Sequence, residues 1–182
     1  MIVYSEINKL LESVTSSKSK VLEIGGVPGG YLKNFNPENI TRTNIFWIEG
    51  LHCIADAQDL PFDDCEFDLV FMVGVDYYIA DINKSSREIY RVLKAGGVLI
   101  NATYSKSSLD SQKLKDTYAI HSFTDDQYLT MYSSVGFRVR QTKVCNNPPN
   151  GILKASIWFL MPKRIRIYVS KWRIFTCKKY LS

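Results

Sequence analysis

Apolar and polar positions follow two rhythms along this chain, and the changes between them mark the elements. Ile7, Leu10, Leu11 and Val14 recur at helical spacing, which predicts a short amphipathic helix over Glu6–Val14. Thr15–Lys20 is a polar linker, and the apolar run Val21–Ile24 reads as a buried strand. Gly29 opens a helical stretch with Tyr31, Leu32 and Phe35 facing inward. Asn36-Pro37 ends it, because a residue before proline is pushed out of the α region. Asn39–Ile48 and Leu51–Ala55 contain two extended segments, and Asp59–Glu66 is rich in turn formers.

Phe67–Val75 is almost wholly apolar and predicts a central strand covered on both faces. Asn83–Leu93 is helical, with Ile89, Val92 and Leu93 inward and Gly96-Gly97 placed to cap its C-terminal end. Val98–Ala102 is another buried strand. Thr124 suits an N-cap, and Asp125 and Asp126 suit the positive end of a helix over Thr124–Val135, closed by Gly136. Phe137–Val144 and Leu153–Leu160 read as two β segments around the loop Asn146–Gly151. Strand–helix alternation followed by two closing strands predicts an α/β fold: a doubly wound, mostly parallel sheet with an antiparallel edge hairpin.

The chain has 182 residues, suited to a single domain, and 46% of them are hydrophobic, enough for an ordinary core. Cys53, Cys65, Cys145 and Cys177 lie far apart with no C-x-x-C pair, so no metal site or disulfide framework is expected. Reduced thiols in a cytoplasmic protein are the simpler expectation. Met1–Lys20 lacks the apolar core of a signal peptide, and the run Ile157–Met161 is too short to span a bilayer.

The formal charge of +5 is unevenly placed. Seven basic residues and no acidic one fall after Pro162, so the basic character belongs to residues 163–182. The chain therefore reads as one domain over 1–162, opened by a short helix and linker (1–20), with a basic amphipathic tail over 163–182. The tail interleaves its charges with Ile165, Ile167, Tyr168, Val169, Trp172, Ile174 and Phe175. Packing on the domain or in a homo-oligomer, contact with an anionic membrane, and contact with nucleic acid are its three possible placements. Nucleic acid comes last because the body is not basic.

The densest chemical signal is Val21-Leu-Glu-Ile-Gly-Gly-Val-Pro-Gly-Gly30. A strand running into a glycine-rich loop is the usual opening of a nucleotide-cofactor domain. The dinucleotide pattern G-x-G-x-x-G needs glycines at 25, 27 and 30, and position 27 is Val. No Gly-Lys-Ser/Thr follows, so a P-loop is excluded as well. Glu23, two positions before the first glycine, can accept hydrogen bonds from an ammonium group or from water beside it.

Four stretches together resemble one family. They are Val21–Gly30, Ala55-Asp-Ala-Gln-Asp-Leu-Pro-Phe62, Phe67-Asp-Leu-Val-Phe-Met-Val-Gly-Val75, and Arg87-Glu-Ile-Tyr-Arg-Val-Leu-Lys-Ala-Gly-Gly-Val-Leu-Ile100. In this order and spacing the chain resembles the class I S-adenosylmethionine-dependent methyltransferases of the type 11 group. The resemblance implies a Rossmann-like fold, S-adenosylmethionine as cofactor and a methyl acceptor as substrate. It implies that Glu23 and the backbone of Gly25, Gly26, Val27 and Gly29 hold the methionine end. Asp56 matches the acceptor of the adenine amino group, Ala57 offers a backbone N–H, and Val73 and Gly74 line the floor.

The chain departs from that pattern in three places. Val27 replaces the middle glycine of the family's loop. The stretch Asn36–Ala55 is too short for two strands and a crossover helix, so the second crossover helix is expected to be missing. Asn44 by alignment and Glu49 by chemistry then compete for the ribose hydroxyls. Tyr77 and Tyr78 stand where many members have His-His; with Asp76 they are the catalytic candidates, and Tyr104 is a substrate-facing group. His52 and His121 are read as structural or surface residues. The short front end leaves little chain for a lid, which suits a large acceptor such as a glycan. A cofactor-fold protein that has lost catalysis and serves as a binding or scaffold partner is the alternative reading.

Overall fold

The computed structural model describes residues 2–27, 31–32, 35–106, 119–147 and 170–180. The elements in chain order are α1 (Ile2–Val14), β1 (Val21–Ile24), β2 (Ile40–Asn44), β3 (Cys53–Ile54), β4 (Phe67–Val73), α2 (Ile82–Val92), β5 (Leu93–Tyr104), α3 (Asp125–Val135), β6 (Phe137–Asn147) and β7 (Ser170–Lys179). They form a seven-stranded sheet in the order β3-β2-β1-β4-β5-β7-β6. β1 to β5 pair in parallel, and β7 pairs antiparallel with β5 and β6. This is the expected doubly wound sheet with an antiparallel edge pair.

Side-chain alternation sends each strand's apolar residues to both faces. Leu22, Ile24, Val70, Met72, Leu99, Phe175 and Cys177 meet α2 and α3 on one face. Val21, Leu69, Phe71, Ile100, Trp172 and Ile174 pack against Ile7 and Leu11 of α1 on the other. The helix expected over Glu6–Val14 is present, and begins earlier. α3 carries a full capping box, in which Thr124 and Gln127 each bond the other's backbone N–H, and Gly136 closes it.

Three local expectations need correction. Gly96-Gly97 does not cap α2: the helix stops at Leu93, whose extended backbone already starts β5. The glycines instead sit in a bulge where β5 passes from Leu93 opposite Phe67 to Val98 opposite Leu69, and Gly96 takes φ +80° there. The two extended segments after the first helix are shorter than their apolar content suggests, only Ile40–Asn44 and Cys53–Ile54. Of the helix expected from Gly29, residues 28–30 and 33–34 lie outside the described residues, and Tyr31-Leu32 is a turn. No helix separates β2 from β3, as the short spacing predicts.

The strand beside β6 is Ser170–Lys179, within the segment read as a basic tail; Leu153–Leu160 lies outside the described residues. Here the charges have structural work. Arg173 Nε donates to both oxygens of Asp125 at 2.7 and 2.8 Å, in the first turn of α3. Lys179 Nζ donates to the carbonyls of Tyr90 and Leu93 at 2.8 and 2.7 Å, so a cation closes the negative end of α2.

Candidate functional site

The C-terminal ends of β1, β2, β3 and β4 share one edge because these strands are mutually parallel. In open α/β sheets that edge is where ligands bind. A cavity of about 320 Å³ opens at the opposite edge, lined by Glu12, Asn36 and Asn39 and by the starting residues of β1 and β2. None of the residues singled out for chemistry lines it.

β1 ends in a turn that only glycine accommodates. Gly25 has φ +70°, and a Cβ there would lie 2.3 Å from Val75 Cγ2. The turn is thereby seated against the residues that follow β4. At Gly26 a Cβ would lie 2.9 Å from Glu23 Cγ, so the Glu23 side chain folds beneath the turn. Gly26 N–H donates to the Thr43 carbonyl at 3.0 Å, and Asn44 Nδ2 donates to the Gly26 carbonyl at 3.5 Å. Glu23, Gly26 and Asn44 are therefore brought together. Val27 is 49% exposed and faces away from the core. Gly29 lies outside the described residues.

Glu23 is buried, and the β1–β2 register sets it opposite Arg42. Arg42 Nε donates to Glu23 Oε2 at 3.0 Å. Burial pushes the Glu23 carboxyl above the ordinary value, and the Arg42 guanidinium opposes that rise. Sequence reasoning missed Arg42; its signal was the parallel pairing of a short second strand with the first.

Asp56 follows β3, is exposed, and accepts from both the backbone N–H and the side-chain amide of Gln58 at 2.9 and 3.1 Å. Ala57 beside it is buried. Ala55 N–H donates to the Asn44 carbonyl at 3.0 Å, which sets the Asp56 turn next to the end of β2. Glu49 is exposed in the β2–β3 connection.

At the end of β4, Val73 and the following Gly74 are half-buried, and Asp76–Tyr78 form a 3-10 turn. A Cβ on Gly74 would lie 3.1 Å from the Tyr77 hydroxyl and 3.7 Å from Trp172. Tyr77, Tyr104 and Trp172 make a continuous aromatic wall, with ring centroids 5.9 and 4.1 Å apart along it. Tyr78, 40% exposed, stands against Tyr77 at 4.5 Å. Burial raises the Tyr77 phenol far above its ordinary value, with Tyr78 and Tyr104 adding to the rise. Trp172 was hidden from sequence reasoning because the basic residues around it disguised a two-sided strand. It reaches Tyr104 because the antiparallel register sets the two directly opposite.

Asp76 points elsewhere. It is fully buried and accepts from the Tyr128 hydroxyl of α3. Its other oxygen has no partner. Nearby, Asn101 donates to the Tyr132 hydroxyl at 2.8 Å, and Thr103 lies 3.5 Å from the Tyr128 hydroxyl. Burial raises the Asp76 carboxyl, against the lowering effect of Tyr128 first and of Thr103 and Asn101 after it. His52 Nδ1 accepts from the Arg42 N–H at 3.0 Å, and His121 Nε2 lies 2.9 Å from the Ala80 carbonyl, so both histidines are held by backbone. Among the described residues no group of three or more His, Cys, Asp or Glu is placed to hold a metal.

A glycine turn seated on the strand beside it, carboxylates and an amide at the strand ends, and an aromatic cluster past the central strand thus lie along the edge where open α/β sheets bind ligands. The donor set fits S-adenosylmethionine at one point that the structure describes: the exposed Asp56 carboxylate supplies an acceptor for an amino group. The fold is that of the class I S-adenosylmethionine-dependent methyltransferases. Residues 33–101 match the family described as "Methyltransferase domain". The chain is 45% identical over 64 residues to the chloroplastic 2-phytyl-1,4-beta-naphthoquinone methyltransferase of Arabidopsis thaliana, covering 35% of this chain and 23% of that protein. It is 32% identical over 101 residues to the ubiquinone/menaquinone biosynthesis C-methyltransferase UbiE of Vibrio cholerae, covering 55% and 39%. Each match spans well under half of the relative's length. A SAM-dependent methyltransferase structure from Methanosarcina mazei superposes with a TM-score of 0.68 at 14% identity, covering 95% of this chain and 98% of that one.

Proposed function

We propose that the protein transfers a methyl group from S-adenosylmethionine to a ring carbon of a lipid-tailed quinol. The observation that carries this reading is the aromatic cluster of Tyr77, Tyr78, Tyr104 and Trp172 beside Gly74, in which the exposed Tyr78 and the half-buried Tyr104 leave ring surface for a flat acceptor while Tyr77 and Trp172 back them. The names of both sequence relatives, one a phytyl-naphthoquinone methyltransferase and one a C-methyltransferase of quinone biosynthesis, support the same acceptor class.

When bound, S-adenosylmethionine supplies an electrophilic methyl group. Glu23 and the Gly25–Gly26 turn would hold its methionine end, with Val27 and Gly29 of the same loop. Asp56 and Ala57 would hold its adenine, Asn44 or Glu49 its ribose, and Val73 and Gly74 the floor beneath. A ring carbon beside a quinol hydroxyl is already nucleophilic, and the one proton released as the new carbon–carbon bond forms and aromaticity returns passes to solvent. The protein's task is then to orient the ring and exclude water rather than to supply a strong base. Tyr77 keeps its proton at neutral pH, so its hydroxyl donates to an acceptor oxygen and does not serve as the base. Tyr78 stands at the exposed side of the same wall. Asp76, enclosed under Tyr128, is a positioning residue that fixes the turn carrying both tyrosines.

The test is transfer of labelled methyl from S-adenosylmethionine to a phytyl-tailed naphthoquinol and to a tail-free naphthoquinol, with mass spectrometry to locate the methyl. Methyl on ring carbon is expected. Methyl on oxygen only, or none despite cofactor binding, would overturn the acceptor assignment.

A further inference from the structure

The connection between β2 and β3 turns its apolar side chains outward. Ile45, Phe46 and Trp47 are 57%, 73% and 64% exposed, and Ile54 on β3 is 56% exposed. These residues form a group. Ile54 pairs with Asn44, the residue before Ile45, and Asn44 reaches the Gly26 carbonyl, after which comes the exposed Val27. Five exposed apolar side chains thus gather at the C-terminal end of β2, bordering the glycine turn of the cofactor edge. Contiguous apolar surface of this kind marks an interaction site.

We propose that this loop inserts into the surface of a lipid bilayer and holds the cofactor edge against the membrane from which a lipid-tailed acceptor is drawn. The inference rests on the acceptor reading above. Three observations favour a bilayer. The patch centres on a run of exposed residues, Ile45-Phe-Trp47, and a bilayer admits an apolar tip with no matching cavity. Its indole suits the headgroup level, where an apolar body and a polar N–H are both satisfied. The edge strand beside it has two residues, which is too short a template for strand addition by a second copy.

Charge decides the mode of contact. Between Pro37 and Asp59 the basic side chains are Arg42 and His52. Arg42 is held by Glu23, and His52 accepts from backbone. Residues 45–52 themselves carry no lysine or arginine to draw the loop to anionic lipid, so insertion rather than electrostatic attraction holds it. Of the basic C-terminal segment, Ser170–Lys179 supplies β7, and the contact inferred here lies instead at the trimmed edge of the sheet.

The test uses the full chain, flotation with phosphatidylcholine vesicles with and without phosphatidylserine, and the double variant Phe46→Ser, Trp47→Ser. The wild type is expected to float with phosphatidylcholine alone and to be insensitive to salt. The double variant should lose about tenfold or more in partitioning and keep its melting temperature. It should also keep methylation of the tail-free naphthoquinol while losing that of the phytyl-tailed one in vesicles. A wild type that ignores phosphatidylcholine vesicles overturns the inference, as does a double variant that floats equally well. A dimer in light scattering that the double variant abolishes also overturns it, in favour of a second copy. If neither quinol is methylated but vesicle binding still depends on Phe46 and Trp47, the acceptor reading fails and the membrane contact stands.

Discussion

On one side of β1 lie β2 and β3, five and two residues long, joined by residues 45–52 without a helix. On the other lie β4, β5, β7 and β6, seven to twelve residues long, with α2 and α3 against them. The thin side carries Glu23 paired to Arg42, Asn44, Glu49 and Asp56, several of them open to solvent. The thick side carries another buried carboxylate, Asp76, which among the described residues forms no ion pair. Burial raises both carboxyls; at Glu23 the Arg42 guanidinium opposes the rise, and at Asp76 neutral side chains, Tyr128 foremost, oppose it.

The largest expected effect lies on the thick side. Phe175 is fully buried against Tyr128 at 4.8 Å, so Phe175→Ala should cost about 3–5 kcal/mol in urea unfolding. A loss below about 1 kcal/mol would mean that residues 170–179 do not belong to the core.

On the thin side, Arg42→Leu leaves Glu23 buried without its cation and should cost about 3 kcal/mol, the lower part of the range because the carboxyl can take up a proton. Adding Glu23→Gln should recover most of that loss. Additive losses would show that the pair is not coupled.

A smaller effect tests the Asp76 assignment. Its carboxyl is raised in the folded protein, so the unfolded chain releases this proton at lower pH. Its contribution is therefore complete below about pH 3.9 and is lost as pH rises through the native value. Glu88 is lowered by its hydrogen bond to Arg91, and its contribution is lost in the opposite direction, as pH falls. Asp76→Asn should flatten the decline in melting temperature on the alkaline side and leave the acid limb unchanged. An unaltered profile would remove Asp76 from the neutral, positioning role.

How much of this was legible depends on which residues carried the signal. The parallel core showed in the apolar runs Val21–Ile24 and Phe67–Val75, since strands covered on both faces leave no polar alternation to misread. The missing helix between β2 and β3 showed in spacing alone. The bulge at Gly96-Gly97 did not, because a glycine pair after a helical pattern suits a cap as well as a bulge. β7 did not either: Arg173 and Lys179 look like a solvated face until Asp125 and the end of α2 are placed beside them. Asp76 was legible only as a catalytic candidate beside the two tyrosines, since its partner Tyr128 lies 52 residues away and only the fold brings them together.

The central claim is that the thin edge still binds its cofactor despite Val27. Calorimetric titration of the full chain with S-adenosylmethionine tests it most directly, alongside Asp56→Ala. Saturable binding is predicted, weakened at least about tenfold by Asp56→Ala, the scale of a charge-assisted hydrogen bond. No heat and no thermal shift at millimolar ligand would contradict the account.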